Sequence, residues 1–268
     1  MDFHKSIKKS LIKSLEKISE NEIIHLNNAF RLLGKWRSVL ITNTYIQNEG
    51  LIVNEGPFKG MNFLNQSSEG CHVAKLLGTY EQPLHEYFEK IIDSNYELII
   101  NIGSAEGYYS VGLAMRSPKS TVLSFDTDLK AQENCKDLAI KNNLDKSIKI
   151  MSEFHPNILR KYKNISTFVL CDVEGDELKL MDLENYHEFK NIDLLIESHE
   201  CLKPGITQKL IERFSPSHDI EKICDNGNRV LKNPPDWFSS LAHLDQLISL
   251  WEWRSGPTPW LFMKAKRK

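Results

Sequence analysis

Residues 97–114 read ELIINIGSAEGYYSVGLA. Leu98, Ile99, Ile100 and Ile102 form a short apolar run of the kind a fully buried parallel strand shows. Gly103-Ser104-Ala105-Glu106-Gly107 follows as a tight turn bounded by glycines, and Tyr108 to Met115 reads as the start of a helix. A strand that passes through a glycine turn into a helix N-terminus gathers free backbone N–H groups and the positive end of the helix dipole at one point. The stretch therefore predicts a ligand site built on backbone donors. An ordinary βα turn has the same look, with glycine serving only for positive φ.

The residues within the turn narrow the ligand. A dinucleotide turn, G-x-G-x-x-G laid on Gly103, needs glycines where this chain has Ala105 and Tyr108. Tyr108 is too bulky for close helix packing, and Glu106 puts a negative charge where a pyrophosphate would lie. The turn fits better a ligand carrying one carboxylate, an ammonium and a positive centre. S-adenosylmethionine (SAM) has those groups, so Gly103, Glu106, Gly107 and Tyr108 are candidate cofactor contacts, with Asn101 just before them.

Working outward, helices and strands alternate from Gly78 onward. A helical face of Leu84, Phe88 and Ile91 precedes the strand at 98–102. Further strands are expected at Thr121–Phe125, Ile148–Met151, Thr167–Cys171, Ile192–Ile196, His218–Ile223 and Trp260–Lys264, with helices at Lys130–Asn142 and Thr207–Phe214. This order predicts an α/β fold, a doubly wound, mostly parallel seven-stranded Rossmann-like sheet. Upstream, Ile7, Leu11, Leu15 and Ile18, then Ile23, Leu26, Phe30 and Leu33, recur at helical spacing over residues 5–33. Such stripes serve a core or a homodimer contact. Residues 36–64 change period and read as short strands with turns at Asn48-Glu49-Gly50 and Gly56-Pro57. The chain divides into an N-terminal accessory cap, 1–75, and a ligand-binding domain, 76–268.

In an open α/β sheet the ligand sits outside the carboxyl ends of the strands. Four of those ends carry polar residues here: Asn101 and Gly103, then Asp126, then Asp172, then Glu197 and His199. Asp126 stands at the second strand end, where an acid accepts both hydroxyls of a ribose. Asp172 and Glu174 follow the fourth strand, where carboxylates can bind an ammonium, accept a proton or hold a divalent ion. His199 is the candidate general base, since an imidazole of pKa about 6.5 takes a hydroxyl proton near neutral pH. Glu197 or Glu200 would orient it. No metal ligand set is assigned: Cys71-His72 and His199-Glu200-Cys201 lack a second pair at zinc spacing. Asn233-Pro234-Pro235-Asp236 reads as a proline turn.

Composition bounds the rest. At 268 residues, 41% hydrophobic and 26% charged, the chain has room for one large α/β domain and an extra segment. A net charge of −2 gives no basic field for nucleic acid. No apolar window approaches a membrane span, and the first residues lack the apolar region of a signal peptide. Five scattered cysteines without a C-x-x-C fit a reduced, cytoplasmic compartment.

The run Asn101–Gly107, the strand ending FDTD, the helix ENCKDLAIKNNL, and above all LCDVEGDE and LLIESHE resemble the FkbM-like class I SAM-dependent methyltransferases. GPFKGMNF and KLLGTYEQPL fit that group's N-terminal flank, so the resemblance covers roughly residues 56–223 with a further match near Trp260. It implies an O-methyltransferase acting on a hydroxyl of a small molecule, often a sugar or natural-product intermediate. By position it implies cofactor contacts at Gly103, Gly107 and Asp126. Two departures stand out: Asn101 replaces the group's common Asp, and Ser104-Ala105 replaces a more glycine-rich turn. Catalysis would fall to His199, Asp172 and Glu174, with the cap, including GPFKGM, and the tryptophan-rich 251–260 segment selecting the acceptor. The other readings are a catalytically silent binding module of the same fold, or a nicotinamide-dependent oxidoreductase.

Overall fold

A computed structural model describes residues 3–16, 22–68 and 70–266. Seven strands form one sheet: β1 Leu98–Ile102, β2 Thr121–Phe125, β3 Ile148–Met151, β4 Thr167–Cys171, β5 Asp193–Glu197, β6 His218–Ile223 and β7 Trp260–Ala265. Their order is β3-β2-β1-β4-β5-β7-β6. The first five pair in parallel, and β7 lies antiparallel between β5 and β6. The chain winds one way from β1 to β3 and the other way from β4. The crevice between the carboxyl ends of β1 and β4 is therefore the ligand position for a sheet of this kind.

The helices are α1 Phe3–Glu16, α2 Glu22–Glu49, α3 His72–Leu77, α4 His85–Asp93, α5 Tyr108–Arg116, α6 Leu129–Lys141, α7 Glu177–Leu180, α8 Ile206–Phe214, α9 Asp236–Ser239 and α10 His243–Ser249. They cover both faces. Ile99 of β1 joins a core with Phe88 of α4, Val111 of α5 and Leu138 of α6. Leu98, Ile100 and Ile102 point the other way, into a core with Ile206, Leu210 and Phe214 of α8. Alternate residues of one strand thus feed two cores, which is why β1 is apolar along its whole length.

The strands expected within 36–64 are absent among the described residues, apart from one bridge between Ile52 and Asn62. Instead α2 continues to Glu49. The β-branched run SVLITNTYI suggests strand, but Ser38, Ile41, Thr42 and Tyr45 are its buried residues, and they recur at helical spacing. Thr42 and Thr44 donate their hydroxyls to the carbonyls of Ser38 and Leu40 (2.8 and 3.2 Å), so neither competes with the helix from outside. Ile41, Tyr45, Val53, Phe58, Met61 and Phe63 enter the same core as Ile99, and residue 75 falls inside α3. Further out, α1 buries no residue, and Ile23, Leu26 and Phe30 of α2 stand exposed. Ile18 lies outside the described residues.

His72, at the start of α3, sits against Phe63 with Nε2 3.0 Å from the Leu64 carbonyl oxygen. Burial pushes its pKa down from 6.5 to about 4, although that carbonyl favours the charged ring. As pH falls through this window the unfolded chain takes a proton that the folded chain refuses. The stabilisation present above pH 6.5 is therefore lost progressively toward pH 4. Thermal unfolding of His72→Gln should lose less stability over that interval than the unsubstituted protein. Parallel curves would mean the ring does not titrate this way.

Candidate active site

The glycine turn keeps the predicted shape but not the predicted free donors. Gly103 and Ser104 both donate to the Phe125 carbonyl (2.9 and 3.0 Å), and Gly107 donates to that of Ser104 (2.8 Å). The Ala105 N–H donates to Asp126 Oδ2 at 2.8 Å. The turn spends these donors on itself and on β2, so it is no backbone cradle for a phosphate. Gly103 is needed for two reasons: its φ is +76°, and a Cβ there would lie 1.6 Å from the Asp172 carbonyl oxygen. This packs the turn after β1 directly on the loop after β4.

Gly103, Asp126, Asp172 and Glu174 line one cavity of about 470 Å³, together with Phe125 and Phe154. Asp126 also receives Asp128 N–H at 2.9 Å, so it shapes the turn as well as facing the cavity. Asn101, Glu106, Gly107 and Tyr108 do not line it. Gly107 caps α5, and a Cβ there would meet Cys135 Sγ at 2.6 Å. Asn101 is fully buried and donates to Ser110 Oγ (2.9 Å). Tyr108 packs edge-on against Phe58, Phe63 and Tyr80. Glu106 is fully buried, with Oε1 taken by Lys75 Nζ (2.6 Å) and Ser67 Oγ (2.7 Å) and Oε2 by Ser68 N–H (3.2 Å). Burial would raise its pKa, but Lys75 holds it below the ordinary range. These four residues hold the turn from behind, tying it to α3, α6 and the segment before α3.

Asp172 and Glu174 also line a second cavity, about 240 Å³, whose floor includes His199. The His199 ring is almost completely buried. Its Nδ1 lies 2.5 Å from Oε1 of Glu177, a fully buried carboxylate that also takes the Gly175 N–H at 3.0 Å. A carboxylate accepts, so Nδ1 carries the proton, and in the neutral ring the Nε2 lone pair faces the cavity. Around Nε2 stand Glu174 Oε2 (3.4 Å), Asp172 Oδ1 (3.5 Å) and Glu197 Oε2 (3.7 Å). Burial pushes the His199 pKa down, but the Glu177 hydrogen bond and the surrounding carboxylates outweigh it, leaving the ring above its ordinary value. Glu174 has φ +52°, an uncommon conformation for a residue with a side chain, and Gly175 follows at +104°. Gly175 serves this backbone shape: a Cβ there would meet the Lys203 side chain at only 3.4 Å, an ordinary contact.

The orienting partner of His199 is thus Glu177. Glu200 instead accepts the N–H groups of Gly205 (2.5 Å) and Thr207 (3.1 Å). Glu197 is held by Arg254, whose guanidinium spans Glu197 Oε1 (2.6 Å), Glu81 Oε1 (2.5 Å) and Asp225 Oδ2 (3.0 Å). Glu81 is buried, and burial pushes its pKa up to about 8 against the pull of Arg254. Glu177 sits in the acidic run after β4, and its spacing to His199 was invisible because 22 residues separate the two. Arg254 lies in the tryptophan-rich segment, where nothing in its neighbours marks it as the partner of three carboxylates. Ser198 and Cys201 donate their N–H groups to Pro259 and Pro257 (2.9 and 3.0 Å), which binds the His199 loop to that segment. Beyond Arg254 and Trp253 the small cavity adjoins a larger one of about 640 Å³.

No protein-family model matches this chain, and no curated protein matches it in sequence. Solved structures do. The O-methyltransferase TomG from Streptomyces achromogenes, involved in tomaymycin synthesis and in complex with SAM, is similar at 11% identity over 69% of this chain and 79% of that one, with a TM-score of 0.48. The O-methyltransferase from Bacillus cereus in complex with S-adenosylhomocysteine gives 12% identity over 69% and 81%, TM-score 0.46. Precorrin-6y C5,15-methyltransferase from Geobacter metallireducens gives 11% over 53% and 75%, TM-score 0.40. Identities this low fix neither cofactor nor acceptor for this chain. No helix among the described residues is long and apolar enough to cross a membrane.

Proposed function

We propose that this protein is a SAM-dependent O-methyltransferase of the FkbM-like kind, acting on a hydroxyl of a small molecule. One observation carries the reading: Asp172 and Glu174 form the wall between a 470 Å³ cleft at the glycine turn and the smaller cavity that holds His199. A methyl donor on one side and an acceptor on the other would meet at that wall.

The cleft suits SAM by the chemistry of its lining. Its polar side chains are mostly carboxylates, and the turn's own N–H groups are spent, so it fits hydroxyl and ammonium donors better than a pyrophosphate. Asp126 would take the ribose hydroxyls, and Asp172 or Glu174 the ammonium. The cofactor when bound supplies an electrophilic methyl on sulfur. The chain's residues orient the acceptor and deal with its proton. A hydroxyl is a poor nucleophile at neutral pH, and a positioned base contributes about 10²–10⁴-fold. With no ion in the cluster, His199 Nε2 is that base, its ring held by Glu177 as a dyad holds an imidazole.

Calorimetry with SAM tests the reading. The unsubstituted protein should bind, and Asp126→Ala should bind at least tenfold more weakly, as loss of charged hydrogen bonds worth about 1.5–3 kcal/mol predicts. No binding by the unsubstituted protein, or equal binding by both, would remove the proposal.

A further inference from the structure

We infer that Asp172, Glu174 and His199 bind a divalent metal ion at the wall between the two cavities. The catalytic role given to the ion rests on the methyltransferase reading; the binding does not.

His199, Asp172 and Glu174 each offer one ligand atom, and these atoms lie within 4.8 Å of one another. Nε2 is 3.5 Å from the Asp172 oxygen and 3.4 Å from the Glu174 oxygen. Those spacings are long for hydrogen bonds. They match ligands about 2.1 Å from one ion at tetrahedral angles, which stand roughly 3.4 Å apart. One imidazole and two carboxylates, with the next position open to a cavity, is the pattern of a catalytic rather than a structural ion.

A second observation is independent of the acidic cluster. The His199 ring is buried, its Nε2 receives no hydrogen bond from any described residue, and the lone pair is aimed at the cluster because Glu177 holds the Nδ1 proton. A ligating histidine almost always donates its other N–H to a carboxylate or carbonyl in this way, which fixes the tautomer and raises ligand basicity. Glu177 is fully buried, and the same oxygen that takes the His199 Nδ1 proton also accepts the Gly175 N–H, which fixes its position. Charge agrees: carboxylate oxygens of Asp172, Glu174 and Glu197 all stand around Nε2. The ligand set, one borderline nitrogen and two hard oxygens, suits Mn²⁺ or Zn²⁺ better than a calcium-like cage of oxygens.

With the ion bound, the Nε2 lone pair is committed and His199 no longer serves as base. An acceptor hydroxyl at the open position loses its proton more easily, and Glu197, 3.7 Å from Nε2, receives it. The oxygen then forms its bond to the methyl carbon as the sulfur–carbon bond breaks. The electron pair of that bond stays on sulfur, and the thioether leaves.

The experiment titrates chelator-stripped full-length protein with Mn²⁺, read by the electron paramagnetic resonance of the free ion, and with Zn²⁺ by calorimetry. We expect one ion per chain. Glu174→Gln, at an exposed side chain that should leave folding intact, and Asp172→Asn should each weaken binding at least tenfold. Glu177→Gln should weaken it about 10–100-fold without touching the ion. Retention of neither ion by the unsubstituted protein, or unchanged binding in both Asp172→Asn and Glu174→Gln, overturns the inference. SAM titrated in parallel separates the two proposals. SAM binding without metal binding removes the ion alone, and metal binding without SAM binding keeps the ion and removes the methyltransferase.

Discussion

Lys75→Met should lower the stability of this protein by about 3–5 kcal/mol, the usual result of removing one partner from a buried ion pair. Lys75 and Glu106 are both nearly inaccessible, and their charged atoms are 2.6 Å apart. Without the ammonium, Glu106 keeps the Ser67 hydroxyl and the Ser68 N–H and loses its one cationic partner among the described residues. A buried carboxylate with neutral donors alone must either stay charged at high cost or take a proton. Lys75 also lies over the rings of Tyr80 and Tyr108, at 4.8 and 5.7 Å, and methionine keeps that packing while losing the charge. The expected fall in Tm is on the order of 10 °C for a chain of this size. Lys75→Met combined with Glu106→Gln should recover much of the loss, since the orphaned charge is then gone. Chemical denaturation of the two variants checks this. A single variant as stable as the parent, or a double variant no better than the single, would show that the pair is not what holds the turn.

The second large effect is at Gly103. Gly103→Ala should cost about 2–5 kcal/mol and abolish measurable SAM binding. Two terms add: about 1–2 kcal/mol for a side chain in the left-handed region, and about 1–3 kcal/mol for overpacking. The overpacking is severe here because the Cβ would stand 1.6 Å from a backbone oxygen that cannot rotate away. Asp172 and Glu174 would have to shift with that carbonyl. Gly60→Ala is the control. Gly60 has φ +86° with nothing within 4 Å of an added Cβ, so only the first term applies. Equal losses at Gly60 and Gly103, measured by thermal melting, would mean that the contact with Asp172 is soft and that backbone strain explains everything.

The fold was legible wherever one residue's neighbours in sequence decide its surroundings. β1, β2, β4 and β5 are short, mostly apolar runs, and runs of that length are buried strands in a parallel sheet, whereas β3, IKIM at the sheet edge, buries only Ile148. Residues 36–49 misled because their β-branched side chains carry strand propensity, while burial at Ser38, Ile41, Thr42 and Tyr45 follows the helix. Tertiary packing overrode the local preference. Of the candidate site, the sequence placed the strand-end carboxylates and His199, and the fold gathers them around two adjoining cavities. It was not legible where a partner lies far along the chain. Glu106 reads as a ligand contact until Lys75, 31 residues earlier, is placed against it. The turn's N–H groups read as free until the Phe125 carbonyl and Asp126 are seen to take them.

The stapling of residues 198–201 to Pro257 and Pro259 has a bearing on how such a protein could change its substrate. Because β7 runs back between β5 and β6, the segment that precedes it is bonded to the very loop that carries His199. Arg254 adds a second tie, through Glu197. Under the proposed function, acceptor choice and the alignment of the reacting groups would therefore be inherited together. A loop exchange confined to 251–256 would import a foreign surface onto an unmatched histidine. A workable chimera has to transplant residues 197–201 and 251–259 as one unit.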